Sequence, residues 1–366
     1  MPAGRDAGPP ADAPPTCNQQ LGSCPATSIG SWQRLLDADD FGANARFVAM
    51  GGSAVVVARG DGRFTVVHLN QPSSSSSTAP PSKYASWDFP GGQLEPLAVT
   101  EGDWDDLSQQ PEVFVLMCDQ ERKQCSINRG GSAGAALDSW YGTELPDGFV
   151  PRDLVFDTVS KPRMLCAYGN GLLCFQNGWQ QAIPPSSEVG LNDVAVGAPW
   201  SLAVGDHGRW WLRERTDSGA LGVWQEQTPL RDVALTQANV FSRSVPQGAA
   251  VVTGDGRVQA ALGIYRERVC SPQNGLIAFF LGSGESSYAY ALTSNGDVVR
   301  QHLLTTPTMQ MMPMTPLPPE PDCIYQQLPL PSAVIKTGIA PCQDALNERV
   351  LTDRVLFGSN LCLRID

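Results

Sequence analysis

Short apolar, β-branched runs alternate along the chain with turns built from Gly, Asp and Asn, and one pattern recurs: an alternating apolar run, a turn, then a second β-rich run. It is found at 53–69 (SAVVVARGDGRFTVVHL), 112–128 (EVFVLMCDQERKQCSIN), 163–176, 200–214, 248–262, 287–303 and 354–366. Asp-Gly and Asn-Gly supply the positive φ angles of tight hairpin turns, so these stretches predict β-hairpins. A further apolar run precedes most of them, at 47–50 (FVAM), 152–156 (RDLVF), 192–196 (NDVAV), 231–235 (RDVAL) and 276–280 (LIAFF). Runs bearing Trp87, Trp140, Trp179 or Trp224 follow several. The unit is therefore four strands, a to d. Asp153, Asp193 and Asp232, each expected to open an a strand, stand about 40 residues apart, the repeat length of a β-propeller blade.

Seven such units predict an all-β, seven-bladed β-propeller. The chain stops at Asp366, where a c strand ends, whereas SWQRLL (31–36) near the start resembles a d strand with no hairpin before it. Inserting that N-terminal strand as the outer strand of the last blade closes the ring and leaves no large unpaired edge. Six or eight blades are the alternatives, because the second unit, with an irregular first strand around LEPLAV (94–99), matches the pattern least well. The expected domains are a Pro/Ala-rich linker with a small cysteine loop over residues 1–27 and one propeller over 28–366.

With 37 acidic against 25 basic residues and a formal charge of -12, spread along the chain, there is no basic stripe to neutralise phosphates, and a nucleic-acid partner is not expected. No apolar run reaches the roughly 20 residues of a membrane-spanning helix, so no transmembrane segment is expected. The first residues, MPAGRDAGPPADAPPT, lack the apolar core of a signal peptide. They resemble the spacer behind the lipidated cysteine of Gram-negative surface lipoproteins. That resemblance implies an export signal and a lipid anchor upstream of the given chain, and a periplasmic, outer-membrane-anchored or extracellular location.

Ten cysteines fit disulfides better than zinc, since neither C-x-x-C nor a His cluster occurs. Cys118 with Cys125, and Cys166 with Cys174, would face each other across hairpins, where opposed Cα atoms lie about 4.5–5.5 Å apart. Cys17 with Cys24 is a plausible local loop, and among the other four Cys342 with Cys362 is favoured, leaving Cys270 and Cys323 unassigned.

The stretch WSLAVGDHGRWW resembles the W-x-V-G-x-x-G repeats of exported bacterial propellers, including those related to photosystem assembly factors and the Asp-box proteins. Asp206, Gly208 and Trp211 match the D-x-G-x-x-W part of an Asp box, while Val204 stands where that motif has Ser or Thr. The resemblance implies an exported propeller, and such propellers include enzymes, adhesins and assembly factors, so fold does not give function. Sialidase-like relatives of the Asp box need a tyrosine nucleophile and an arginine cluster, and the box itself is a structural turn.

No G-x-S-x-G elbow, phosphate-binding loop or H-E-x-x-H is present. His207 reads as a solvated turn residue, and His68 and His302 occupy matching places in two c strands. Asp103, Asp105 and Asp106, beside Trp104, form the densest acidic cluster. They read as a solvated loop, calcium being the alternative. The aspartates opening the a strands read as hydrogen-bond acceptors that fix one blade against the next, or else as a ring holding a structural cation. Met309, Met311, Met312 and Met314 crowd a proline-rich insertion and suit either an adaptable partner contact or Cu(I).

Long segments concentrate on one rim, between c and d (71–85, 129–138, 304–326) and between a and b (101–111, 236–247, 338–353), whereas the b–c turns are minimal. Loops that scaffold folding does not require are often functional. The sequence therefore predicts a non-catalytic propeller recognising a protein or glycan partner through its a–b/c–d face, with Met309, Met311, Met312, Met314, Trp104 and Asp105 as contact candidates. A glycan-active hydrolase or lyase with a central pocket, and a copper-binding protein, are the alternatives.

Overall fold

The computed structural model describes residues 31–365, apart from 53, 70–82, 90–92, 103–111, 131–136, 140–143, 158–159, 161–162, 198, 216–221, 231, 242–247, 256–257, 264–275, 282–287, 294–296, 303–322, 328–333, 340–352 and 358–359. Among the described residues the fold is all-β, with no α-helix. Strand β1 (Ser31–Asp37) leads into a 3-10 turn at Ala38–Phe41, after which successive strands pair as antiparallel meanders. The first is β2 (Arg46–Gly51), β3 (Ala54–Ala58), β4 (Phe64–Leu69) and β5 (Lys83–Phe89). Next come β6 (Glu95–Gly102), β7 (Glu112–Cys118), β8 (Cys125–Gly130) and β9 (Leu137–Ser139), then β10 (Pro151–Asp157), β11 (Met164–Gly169), β12 (Leu172–Phe175) and β13 (Trp179–Ile183). They are followed by β14 (Leu191–Ala195), β15 (Trp200–Gly205), β16 (Trp210–Glu214) and β17 (Gln225–Glu226), and by β18 (Leu235–Phe241), β19 (Gly248–Thr253) and β20 (Val258–Gly263). The remaining strands are β21 (Leu276–Leu281), β22 (Tyr288–Thr293), β23 (Asp297–His302) and β24 (Cys323–Gln327), then β25 (Val334–Ile339), β26 (Asp353–Phe357) and β27 (Asn360–Ile365). N-terminal β1 pairs antiparallel with C-terminal β27, Ser31 opposite Ile365 and Asp37 opposite Asn360. This is propeller-like β structure.

Hydrophobic burial runs between the sheets. One face of β3 and β4 (Ala54, Val56, Phe64, Val66) packs on Val99, Val113 and Val115 of the next sheet, while Val55, Val57 and Val67 face the other way onto Phe47 and Ala38. The middle strands are thus covered on both faces, so the runs expected to alternate are instead buried almost without interruption. Similar layers join the second sheet to the third around Phe114, Leu116, Phe156 and Leu165, and the third to the fourth around Tyr168, Leu172, Val194 and Trp211. Outer strands carry little of this, as the exposed Gln180 and Gln181 of β13 and both residues of β17 indicate.

The first strand of each sheet carries a register shift near its start, at Phe47/Ala49, Pro96/Ala98, Pro151/Asp153, Leu191/Asp193, Leu235/Gln237, Leu276/Ala278 and Val334/Lys336. A bulge of this kind inserts one residue and re-aims the side chains around it. Neighbouring first strands also approach closely. A Cβ on Gly51 would run into the carbonyl of Val99, and one on Gly102 into the ring of Phe156.

All the predicted hairpins form, but one first strand lies elsewhere than expected. RDVAL does not start it: β18 begins at Leu235, so residues assigned to a loop (236–247) supply the strand, and Gln237 takes the bulge register that Asp153 and Asp193 hold. The β-branched, apolar spacing of LTQANVF fits a strand in contact with the fourth sheet, whereas Asp232 is left in the preceding connection with its side chain 95% exposed. Likewise β24 begins at Cys323, so the insertion assigned to 304–326 ends earlier than expected. The disulfides Cys118–Cys125 and Cys166–Cys174 are formed between directly opposed residues, with Cα atoms 4.2 and 4.1 Å apart.

Candidate functional site

Met309, Met311, Met312, Met314, Trp104 and Asp105, with Asp103, Asp106, Cys17, Cys24, Cys270 and Cys342, lie outside the described residues. Cys323 opens β24, and Cys362 stands in β27 opposite Val355. What is described is the strand ends from which the long segments leave. Segments 70–82, 103–111, 131–136, 303–322 and 340–352 all join an a to a b strand or a c to a d strand, and in a meander these connections open on one face. At that same end lies a series of polar pairs inside otherwise apolar layers.

His68, near the end of β4, places Nε2 3.1 Å from Glu101 Oε2 at the end of β6, with the two side chains 5% and 12% exposed. Glu112 at the start of β7 pairs with Arg129 in β8. Asp157, at the end of β10, is fully buried and accepts from Arg213 Nη2 of β16 at 2.6 Å, while Ser160 donates to the same carboxylate from its backbone N–H (2.8 Å) and its hydroxyl. Arg213 also donates to Ser201 Oγ (3.2 Å), and its guanidinium lies over the Trp224 ring, 4.9 Å from the centroid. Charges taken out of water in this way persist only when paired and hydrogen-bonded. The pairs tie the first sheet to the second and the third to the fourth at the strand ends that the long connections join.

The opposite ends of the first strands carry a second polar system. At the bulges, Arg152 donates to Asn192 Oδ1 of the next sheet, and Asn192 Nδ2 donates to Asp206 Oδ1 and to the Leu235 carbonyl, both at 3.0 Å. Asp193 accepts from Val194 N at 2.9 Å, from Ala238 N of the following sheet at 2.9 Å, and from the Tyr168 hydroxyl of the preceding sheet at 3.4 Å. Asp153 accepts from Leu154 N at 2.8 Å. Burial, reinforced by the charges of Asp153 and Asp193, pushes the Tyr168 phenol well above its ordinary value. Asp193 therefore clamps three sheets together. The ring of three aspartates is not assembled, because Asp232 faces solvent 3.7 Å from His207 Nδ1. Among the described residues no three His, Cys, Asp or Glu side chains converge as a metal site.

The Asp-box-like stretch is a turn. His207 (φ 54°) and Gly208 (φ 71°) bend the chain between β15 and β16, Asp206 holds Asn192, and Trp211 is buried between the third and fourth sheets. His207 is 81% exposed, in keeping with a solvated turn residue. His68 and His302 do hold matching places, each opposite the first residue of a b strand, Ala54 and Tyr288. The Glu101 partner of His68 and the Asp157–Arg213 pair were not found from sequence. The local signal is a charged residue at or next to the end of an apolar strand, as with Asp157 closing LVFD and Arg213 one before the end of WWLRE.

Among the described residues no helix is long and apolar enough to cross a membrane. No protein-family model matches the chain, and no curated protein matches it. Among solved structures, Hsv2 of Kluyveromyces lactis is 9% identical, covers 86% of this chain and 90% of its own, and gives a TM-score of 0.50. A computationally designed protein, Ika8, is 11% identical over 91% of this chain and 100% of its own, with a TM-score of 0.48. The likeness to Hsv2 is one of fold alone.

Proposed function

We propose that this chain is a seven-bladed β-propeller, closed by β1 as the outer strand of the last blade. It acts as an exported, non-catalytic binding or scaffold protein that recognises a protein or glycan partner through its a–b/c–d face. One observation carries the functional reading: the strand ends that the long connections 70–82, 303–322 and 340–352 join all lie at that face, where the first four sheets are also tied by the buried pairs His68–Glu101 and Asp157–Arg213. Long connections between strands of a packed scaffold are where recognition is usually built.

The ring is supported by the order of neighbouring first strands, β2 beside β6, then β10, β14, β18, β21 and β25, with β25 again beside β2, and by the β1–β27 pairing. Two disulfides in short hairpins favour an oxidising compartment. With the lipoprotein-like linker, this supports the periplasm, the outer membrane surface or the medium of a Gram-negative bacterium, and the W-x-V-G-x-x-G resemblance supports the same group of exported propellers.

The test is affinity capture from the native envelope, comparing the intact protein with a version whose segment 303–322 is replaced by a short turn. Recovery of one stoichiometric partner by the intact protein alone supports the reading. If both versions fold and neither retains a macromolecule, the reading fails and a search for pocket-centred chemistry takes its place.

A further inference from the structure

Three arginines meet at the opposite, b–c end of the first sheet. Arg46 begins β2 opposite Ala58, and Arg59 and Arg63 flank the turn joining β3 to β4, bonded Arg59 N to Arg63 O at 2.7 Å. With Asn44, the buried Phe64 and Glu95 at the start of β6 they line an open surface cavity of 380 Å³, in which Asn44, Arg46, Arg63 and Glu95 are exposed to solvent. Its walls are set by backbone: Gly60 packs so tightly on the Ala43 carbonyl that a Cβ there would collide with it, which locks the β3–β4 turn onto the turn preceding β2.

The guanidinium groups are only partly spent. Arg59 stands 3.5 Å from Asp88 and 3.8 Å from Asp61, and its buried Nε has no hydrogen-bond partner among the described residues. Arg46 and Arg63 form no ion pair with a described residue. Arginine's planar fork matches a carboxylate bidentately, and a charge-assisted hydrogen bond to one contributes roughly a factor of ten or more in affinity. Asp61 and Asp88 stand against Arg59, and with Glu95 they bring the surroundings close to neutral, so only the Arg46 and Arg63 guanidinium groups are open to an anion; that suits a monoanion, whereas a phosphate dianion would meet repulsion from three carboxylates. Glu95 and the Asn44 side-chain carbonyl add acceptors for hydroxyl donors. From this chemistry we infer that the cavity binds a hydroxylated monocarboxylate, a uronic acid unit of a glycan or a free sugar acid, with Arg46 and Arg63 on the carboxylate and Glu95 on the hydroxyls. The site is on the face away from the long connections, so it stands or falls independently of the partner-binding reading.

The test is calorimetric titration of the full chain with D-glucuronate, D-glucose and inorganic phosphate, on the unaltered protein, Arg46→Gln, Arg46→Gln/Arg63→Gln and, as control, the exposed Lys123→Gln, each checked for an unchanged melting temperature. Saturable glucuronate binding is expected, weakened about tenfold in Arg46→Gln, lost in the double variant and kept in Lys123→Gln, with glucose and phosphate far weaker. A glucuronate oligosaccharide binding more tightly than the monomer would assign the glycan source, and equal binding the free sugar acid. Absence of saturable glucuronate binding, its persistence in the double variant, or phosphate or glucose binding equally well would overturn the inference.

Discussion

At Asp157 a buried carboxylate accepts from the Arg213 guanidinium and from the backbone N–H and hydroxyl of Ser160. Arg213→Ala removes the countercharge and leaves the acid buried, so we expect a loss of about 3–5 kcal/mol in denaturant-measured stability, whereas Asp157→Leu/Arg213→Met should lose much less. Tyr168 gives a pH signature. Burial and the charges of Asp153 and Asp193 raise its pKa in the folded protein. Below the ordinary phenol value, about 10, folded and unfolded chains are both protonated and nothing changes. Above it the unfolded chain gives up the proton first, so stability falls as pH rises toward the folded value. We expect Tyr168→Phe to flatten this alkaline decline in melting temperature, and an equally steep decline in the variant would count against the assignment. Neither pair could be read from spacing, since Asp157 and Arg213 lie on strands of different sheets and meet only when the sheets stack. Cys118–Cys125 and Cys166–Cys174 were legible because a hairpin places its partners opposite by local geometry.

Among elements, the bulge near the start of each first strand does the joining. It aims Asn192 and Asp193 at the next sheet, where they hold the Leu235 carbonyl and the Ala238 N–H. We expect Asp193→Ala to cost about 1–3 kcal/mol, because Ala238 N is left without its acceptor. Close approach of first strands is equally demanding. Gly51→Ala drives a methyl into the Val99 carbonyl, which is backbone and cannot step aside, so a loss of at least about 1–3 kcal/mol is expected, and a melting temperature equal to that of the parent would refute that packing. The hairpins were legible because Asp-Gly turns and β-rich flanks are local signals. The start of β18 was not, because RDVAL and LTQANVF are both plausible strands, and register against β19 and the fourth sheet decides between them.

For the whole molecule, the pairing of β1 with β27 covers an edge that would otherwise be open to other chains. Removing residues 1–37 should lower the melting temperature and cause concentration-dependent association, read by light scattering. An unchanged melting temperature and unchanged light scattering would contradict closure of the ring. The strand ends joined by the long connections 70–82, 303–322 and 340–352 were legible from the spacing of the hairpins, since connection lengths follow once the strands are placed. The arginine-lined cavity was not, as its walls come from two turns and the start of the next sheet. The central claim, recognition through the a–b/c–d face, is tested most directly by hydrogen exchange on the protein with its captured partner bound. We expect protection concentrated in 70–82, 303–322 and 340–352, with the b–c turns at 59–63 and 119–124 unchanged. Protection confined to those b–c turns, with the long connections exchanging as in the free protein, would contradict it.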